Sequence, residues 1–131
     1  MKFNKMKKIL TYLFLIFLSF QSQSLANDFV YNCNLTNKFK NGIDGDWKQK
    51  YLKLTFSSLN NTKVKVFDHE INQYYEPSDL TIMVSSEKFI YAAGDMFGSL
   101  GSLSINKKTK YTQFTTLNSS GGTSVHFGFC K

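Results

Sequence analysis

Asp68, His69 and Glu70 form the densest run of potential metal ligands or acid–base groups in the chain, and His126 is the only other histidine. A metal site needs such side chains to converge on one point. On a strand, successive side chains face opposite ways, so Asp68 and Glu70 share one face and His69 takes the other. Only a loop would bring the three together, and a solvated strand end is the expectation. Nucleophilic catalysis needs a Ser or Cys beside a base. No G-x-S-x-G element occurs, and both cysteines have a structural use argued below. Gly94, Gly98 and Gly101 fit neither G-x-G-x-x-G nor G-x-x-x-x-G-K-[ST], and are read as a connection between strands. No catalytic, cofactor-binding or metal-binding residue is assigned, and the expectation is a protein that is not an enzyme.

Two groups of residues could bind rather than react. Lys48, Lys50 and Lys53 interleave with Trp47 and Tyr51, a pattern that can hold single-stranded nucleic acid or sugars by charge and stacking. The same pattern describes a lysine-rich strand edge that blocks aggregation, and that reading is preferred. The chain contains no arginine, which removes the usual tool for bidentate phosphate recognition and argues against a nucleic-acid partner. Tyr74 and Tyr75 lie beside Pro77, the only proline, within a long irregular segment, Asp68 to Asp79. Tyrosine joins apolar area to a polar tip and suits a contact surface. Packing over a barrel mouth would use the pair equally well. Trp47, Tyr74 and Tyr75 are the candidate contact residues.

These residues need a scaffold, and the chain's ends describe it. Lys2, Lys5, Lys7 and Lys8 precede an apolar stretch from Ile9 to Phe20, then Ser24 and Ala26 supply small residues. That is the pattern of a signal peptide over residues 1–26, cleaved between Ala26 and Asn27. The apolar stretch is short beside the roughly 20 residues that span a bilayer. The membrane would be met only during export, to the periplasm or the exterior. Removing 26 of the 131 residues leaves 105, with 12 of 16 lysines and all 9 acidic residues, a net charge of +3 rather than +7. Much of the basic character is therefore a targeting feature. Exported proteins meet an oxidising compartment. The two cysteines allow one intramolecular pairing, Cys33 with Cys130.

Residues 27–131 read as a single β domain closed by that disulfide. Period-2 alternation recurs, and helical periodicity is absent over any long window. Phe29, Tyr31, Cys33 and Leu35 share a face, as do Leu52, Leu54 and Phe56, then Val64 and Val66, then Leu80, Ile82 and Val84. Leu103 and Ile105 precede a turn at Asn106–Thr109, and Thr112, Phe114 and Thr116 alternate after it. Val125, Phe127 and Phe129 share one face of the last run. Connections are expected at Lys38–Asp46, Ser57–Thr62, Ser85–Ser86, Gly94–Ser99 and Asn118–Gly122. About eight strands at spacings near ten residues predict an all-β fold, a small antiparallel barrel or two-sheet sandwich.

The opening Phe29-Val30-Tyr31-Asn32-Cys33 and the closing Gly128-Phe129-Cys130-Lys131 resemble the ends of small periplasmic β-barrel proteins, the lysozyme inhibitors of Gram-negative bacteria among them. The resemblance covers the two ends and the signal peptide. The central region carries none of those inhibitors' contact motifs, and no family is assigned. The expectation is an exported, non-enzymatic binding module for a protein or small ligand of the envelope or exterior, with no cofactor. A structural or surface-associated envelope protein is the alternative, and an inhibitor-like protein a minor one.

Overall fold

The computed structural model describes residues 6–14, 28–76, 78–96 and 98–131. The expected cleavage junction at Ala26 and Asn27 lies outside the described residues, as does Pro77. Residues 6–14 are helical. Among the described residues, no helix is long and apolar enough to cross a membrane.

From residue 30 the described chain is built of strands: β1 (Val30–Lys40), β2 (Lys48–Leu59), β3 (Lys63–Asp68), β4 (Gln73–Tyr74), β5 (Thr81–Ser85), β6 (Phe89–Met96), β7 (Ser99–Asn106), β8 (Tyr111–Leu117) and β9 (Thr123–Cys130). Their lateral order is β2-β1-β9-β8-β7-β6-β5-β3, and β2 also pairs with β3. Every pairing is antiparallel. The result is a closed eight-stranded barrel, not a sandwich, and β4 is a short appendage that takes the far half of the β3 edge.

Two seams close the barrel, and they differ in strength. β1 and β9 pair along eight residues, from Cys33↔Cys130 to Lys40↔Thr123. β3 and β5 meet only around Lys63↔Thr81, held by Val64 N–H to Leu80 O at 2.9 Å and Ile82 N–H to Thr62 O at 2.8 Å. The disulfide sits on the longer seam. Asn32 and Lys131 exchange both backbone hydrogen bonds beside it. The cysteines therefore occupy the neighbouring non-hydrogen-bonded pair, where side chains on facing strands come closest.

The tight turns follow from local chemistry. Asn60 and Asn61 both adopt positive φ, 51° and 52°, at the centre of the β2–β3 turn, which Thr62 N–H closes on Leu59 O at 3.1 Å, as a tight turn matched to right-handed strand twist requires. Asn106 Oδ1 accepts the N–H groups of Lys108 and Thr109 at 3.0 and 3.1 Å, a side-chain turn that starts the β7–β8 hairpin where expected.

The barrel interior is filled. Leu54, Phe56, Val66, Leu80, Ile90, Ala92, Leu103, Ile105 and Phe114 are all fully buried, and the Phe56 and Phe114 rings meet edge-on at 5.4 Å. The predicted inward faces of β1, β2 and β3 are observed.

Several expectations need correction, among them the start of the Lys38–Asp46 connection, since β1 continues to Lys40. Val84 does not share the inward face of Leu80 and Ile82; it is 49% exposed. The β5–β6 register shifts between Ile82 and Val84, and one extra residue reverses the parity of everything after it. Ser57 belongs to β2 rather than to a loop, because β2 continues to Leu59 against β3. Gly94 and Gly101 are not in a connection either, since β6 runs on to Met96 and β7 starts at Ser99.

Gly94 has a packing reason. A Cβ there would lie 2.2 Å from the Asp79 carbonyl oxygen, on a segment tied down by Asp79 N–H to Asp95 O at 2.8 Å. Gly94→Ala should destabilise by about 2 kcal/mol or more, because backbone rather than a flexible side chain must move. An unchanged urea midpoint would contradict this. Replacing both Cys33 and Cys130 by alanine frees a loop with a sequence separation of 97. The expected loss is about 4 kcal/mol on the chain-entropy scale, read from the same unfolding curves against the oxidised protein.

Candidate functional site

Closure of β1 against β9 decides which side chains face outward. Cys130 must meet Cys33 inside, so His126 and Gly128 also face the interior and Val125, Phe127 and Phe129 face out. Phe129 is 62% exposed and His126 only 5%. Across β2, β1 and β9 the register lines up Gln49, Lys38 and Val125 in one outward row. Tyr51, Thr36 and Phe127 form the next row, then Lys53, Asn34 and Phe129. Tyr111 on β8 continues the third row, its ring 5.5 Å from that of Phe129.

Trp47 precedes β2 and stands at the end of this face, 55% exposed. With Lys38, Lys48, Gln49, Val125 and Phe127 it lines a mainly apolar groove of about 600 Å³. Lys38 Nζ lies 5.9 Å from the centre of the Phe127 ring and Lys40 Nζ 5.3 Å from that of Trp47. Both are cation–π distances. β1, β2 and β9 contain five lysines and no aspartate or glutamate, so the face is basic as well as aromatic. β2 is paired on both sides, by β1 and β3. The reading of Lys48, Lys50 and Lys53 as an edge is therefore replaced: Lys53 faces outward and Lys50 turns into one mouth of the barrel, where it lines a second cavity.

The tyrosine pair lies elsewhere, beyond β3. Tyr74 is exposed, with its ring 5.0 Å from Phe67 and under Lys65 Nζ at 5.6 Å. Tyr75 packs against the core and its hydroxyl donates to Asp68 Oδ2. Burial, then that hydrogen bond to a carboxylate, pushes the Tyr75 phenol above its usual range. Asp68 also accepts the Glu70 N–H at 2.8 Å, and Glu70 bonds Lys50 at 3.3 Å. Trp47 and the tyrosines thus do not form one surface. Tyr75 ties the β3–β4 turn to the polar end of the interior instead.

Asp68 ends β3 and His69 and Glu70 open the turn that follows, yet the three side chains diverge. Asp68 is buried, while His69 faces outward, with Nε2 at 2.7 Å from Thr55 Oγ1 and its ring edge-on to Phe67. His126 is packed beside Phe114, ring centres 5.2 Å apart, and its Nδ1 meets the Phe114 carbonyl at 3.2 Å. Burial pushes the imidazole down to about 4, against a smaller opposing pull from the Phe114 carbonyl. At neutral pH His126 is an uncharged wall residue.

The outward aromatic row was missed in the sequence, although the cysteine pairing held the clue: placing Cys130 inside places Phe129 and Phe127 outside. The chain matches no family model, no curated protein and no solved structure.

His126 gives the domain a pH dependence. A base that is neutral when folded and protonated when unfolded weakens the folded state as protons bind the unfolded chain. His126 changes from an ordinary 6.5 to about 4 on folding, so its contribution is complete above pH 6.5 and declines as the pH falls towards 4. The total loss from this group is roughly 3 kcal/mol at 1.36 kcal/mol per pKa unit. Urea midpoints between pH 7 and 4 should fall accordingly, and His126→Gln should flatten that slope.

Proposed function

We propose that this is an exported, non-enzymatic binding module whose outward β2–β1–β9 face takes an acidic protein surface bearing apolar side chains. One observation carries the reading: Trp47, Val125 and Phe127 line a wide outer groove on strands that hold five lysines and no carboxylate. Large aromatic side chains left in water favour a contact that buries them, and aromatic anchors dominate interface energetics. The lysines select an acidic partner and speed its approach. A filled interior, with Phe56, Leu54 and Phe114 fully buried, leaves no room for an apolar small molecule in the barrel. The signal-peptide pattern and the buried Cys33–Cys130 bridge support export to the periplasm or exterior.

The test is capture from envelope extract on the disulfide-bonded protein recovered after export. The expected result is retention of an acidic protein, weakened by added salt, and lost in the Trp47→Ala/Phe127→Ser double variant without loss of folding cooperativity. These outward positions lie off the core, so the variant should stay folded. Retention that ignores both substitutions removes the groove from the function. Co-sedimentation with peptidoglycan or outer membrane, equally indifferent to them, would favour a structural envelope role.

A further inference from the structure

The barrel's two ends differ in chemistry. The end that holds the disulfide is sealed by Phe29 and Tyr31, whose rings pack 5.5 Å apart against the core. The other end opens into a polar cavity of about 220 Å³. Asn37 and Phe39 from β1, Lys50 from β2, Ser99 from β7, Thr116 from β8 and Ser124 from β9 line it. Five strands thus each contribute a polar side chain to one small space.

The charge of the lining has one sign. Lys50 and Lys40 are the charged residues in the lining, and no aspartate or glutamate is among them. Asn37 is 5% exposed and its carbonyl already accepts the Ser124 hydroxyl at 2.6 Å, which leaves its N–H groups as its remaining hydrogen-bonding capacity. Asp68, the buried carboxylate nearby, is occupied by the Tyr75 hydroxyl and the Glu70 N–H. Lys50 meets Glu70 at 3.3 Å, with both side chains half exposed, and its Nζ lies 5.8 Å from the centre of the Phe39 ring. Such an exposed pair contributes little to stability, so Lys50 can change partners at small cost.

We infer that this mouth is a binding site for a small oxyanion, a phosphate or carboxylate group, held by Lys50 and by the Asn37, Thr116 and Ser99 donors. The volume suits such a group, since pockets for drug-sized ligands run to roughly 300–1,000 Å³. His126 stays uncharged beneath the mouth, so Lys50 supplies the positive charge, while Lys40 at the rim is engaged by the Trp47 ring and the Ile43 carbonyl. Glu70 acts as the competitor that keeps Lys50 occupied until the anion arrives. The site is separate from the outward groove, because Lys50, Leu52 and Leu54 share the inward parity of β2 while Gln49 and Tyr51 face out.

The experiment titrates inorganic phosphate into the ¹⁵N-labelled, disulfide-bonded protein at ionic strength held constant with chloride. Saturable amide shifts are expected at Ser99, Thr116 and Ser124. Lys50→Gln should weaken binding by about tenfold or more, the scale of a lost charge-assisted hydrogen bond. Glu70→Gln should tighten it about two- to fivefold, the scale of a half-exposed ion pair. Lys65→Gln, on the outward face of β3 beside Tyr74, should leave the affinity unchanged. Shifts that fail to saturate, or an affinity equal in the wild type and Lys50→Gln, would overturn the assignment. An equal loss in Lys65→Gln would overturn it too, by reducing the effect to general surface charge.

Discussion

The pairing of β1 with β9 is the constraint on which the rest of the barrel depends. A meander of antiparallel strands can remain an open sheet with two exposed edges, and closure is what removes them. Here the edges are joined by eight register pairs and one covalent bond. The opposite seam, between β3 and β5, has one register pair and the short β4 beside it. It can be that thin because the rest of the sheet, and the first seam, already hold the two edges near each other. Loop-closure entropy for a barrel is concentrated where its first and last strands meet, and the disulfide stands at that point.

The same pairing sets inside and outside for the last strand. Side-chain parity leaves two choices for β9, and a bridge to the inward Cys33 permits one. His126 then enters the interior, and three apolar side chains, Val125, Phe127 and Phe129, are placed on the outer face, the first two half-buried and Phe129 exposed. Burial alone would favour the reverse arrangement, with the phenylalanines inside. The arrangement adopted satisfies the bridge and gives the imidazole a carbonyl partner at Phe114. A buried polar group needs such a partner. The exposed aromatic face is thus a consequence of how the barrel is closed.

The all-β class, the cysteine pairing and most inward faces were legible in the sequence, because period-2 alternation survives wherever one face is buried. Barrel against sandwich was not legible, since both present the same alternation and the same terminal bridge. Val84 was misplaced because a bulge leaves no compositional mark at Met83. Gly94 was misread because a glycine that admits a neighbouring backbone looks the same, in one sequence, as a glycine that makes a turn. The candidate surface was read in part. Trp47 could be singled out as a large aromatic among lysines, but its neighbours Val125 and Phe127 come from the other end of the chain and only the register joins them. Tyr75 looked like a loop contact residue, and its bond to the buried Asp68 depends on a fold-back that local pattern does not reveal.

A filled, edgeless barrel narrows the ways in which it can recognise anything. Strand addition needs a free edge, and closure leaves little of one. Enclosure of an apolar ligand needs an empty interior, and Phe56, Phe114 and their neighbours fill it. What remains is the outside wall and the open end, and the two have opposite chemistry. The wall is wide, aromatic and flanked by lysines, suited to a macromolecular surface that buries rings and carries acid groups. The open end is narrow, hydroxyl-lined and centred on Lys50, suited to a group of a few polar atoms. Both lie along β1 and β2, whose alternate residues serve one or the other: Lys38 and Gln49 face the wall, Asn37 and Lys50 the mouth. A single strand pair therefore supplies two recognition surfaces, separated by nothing more than the pleat.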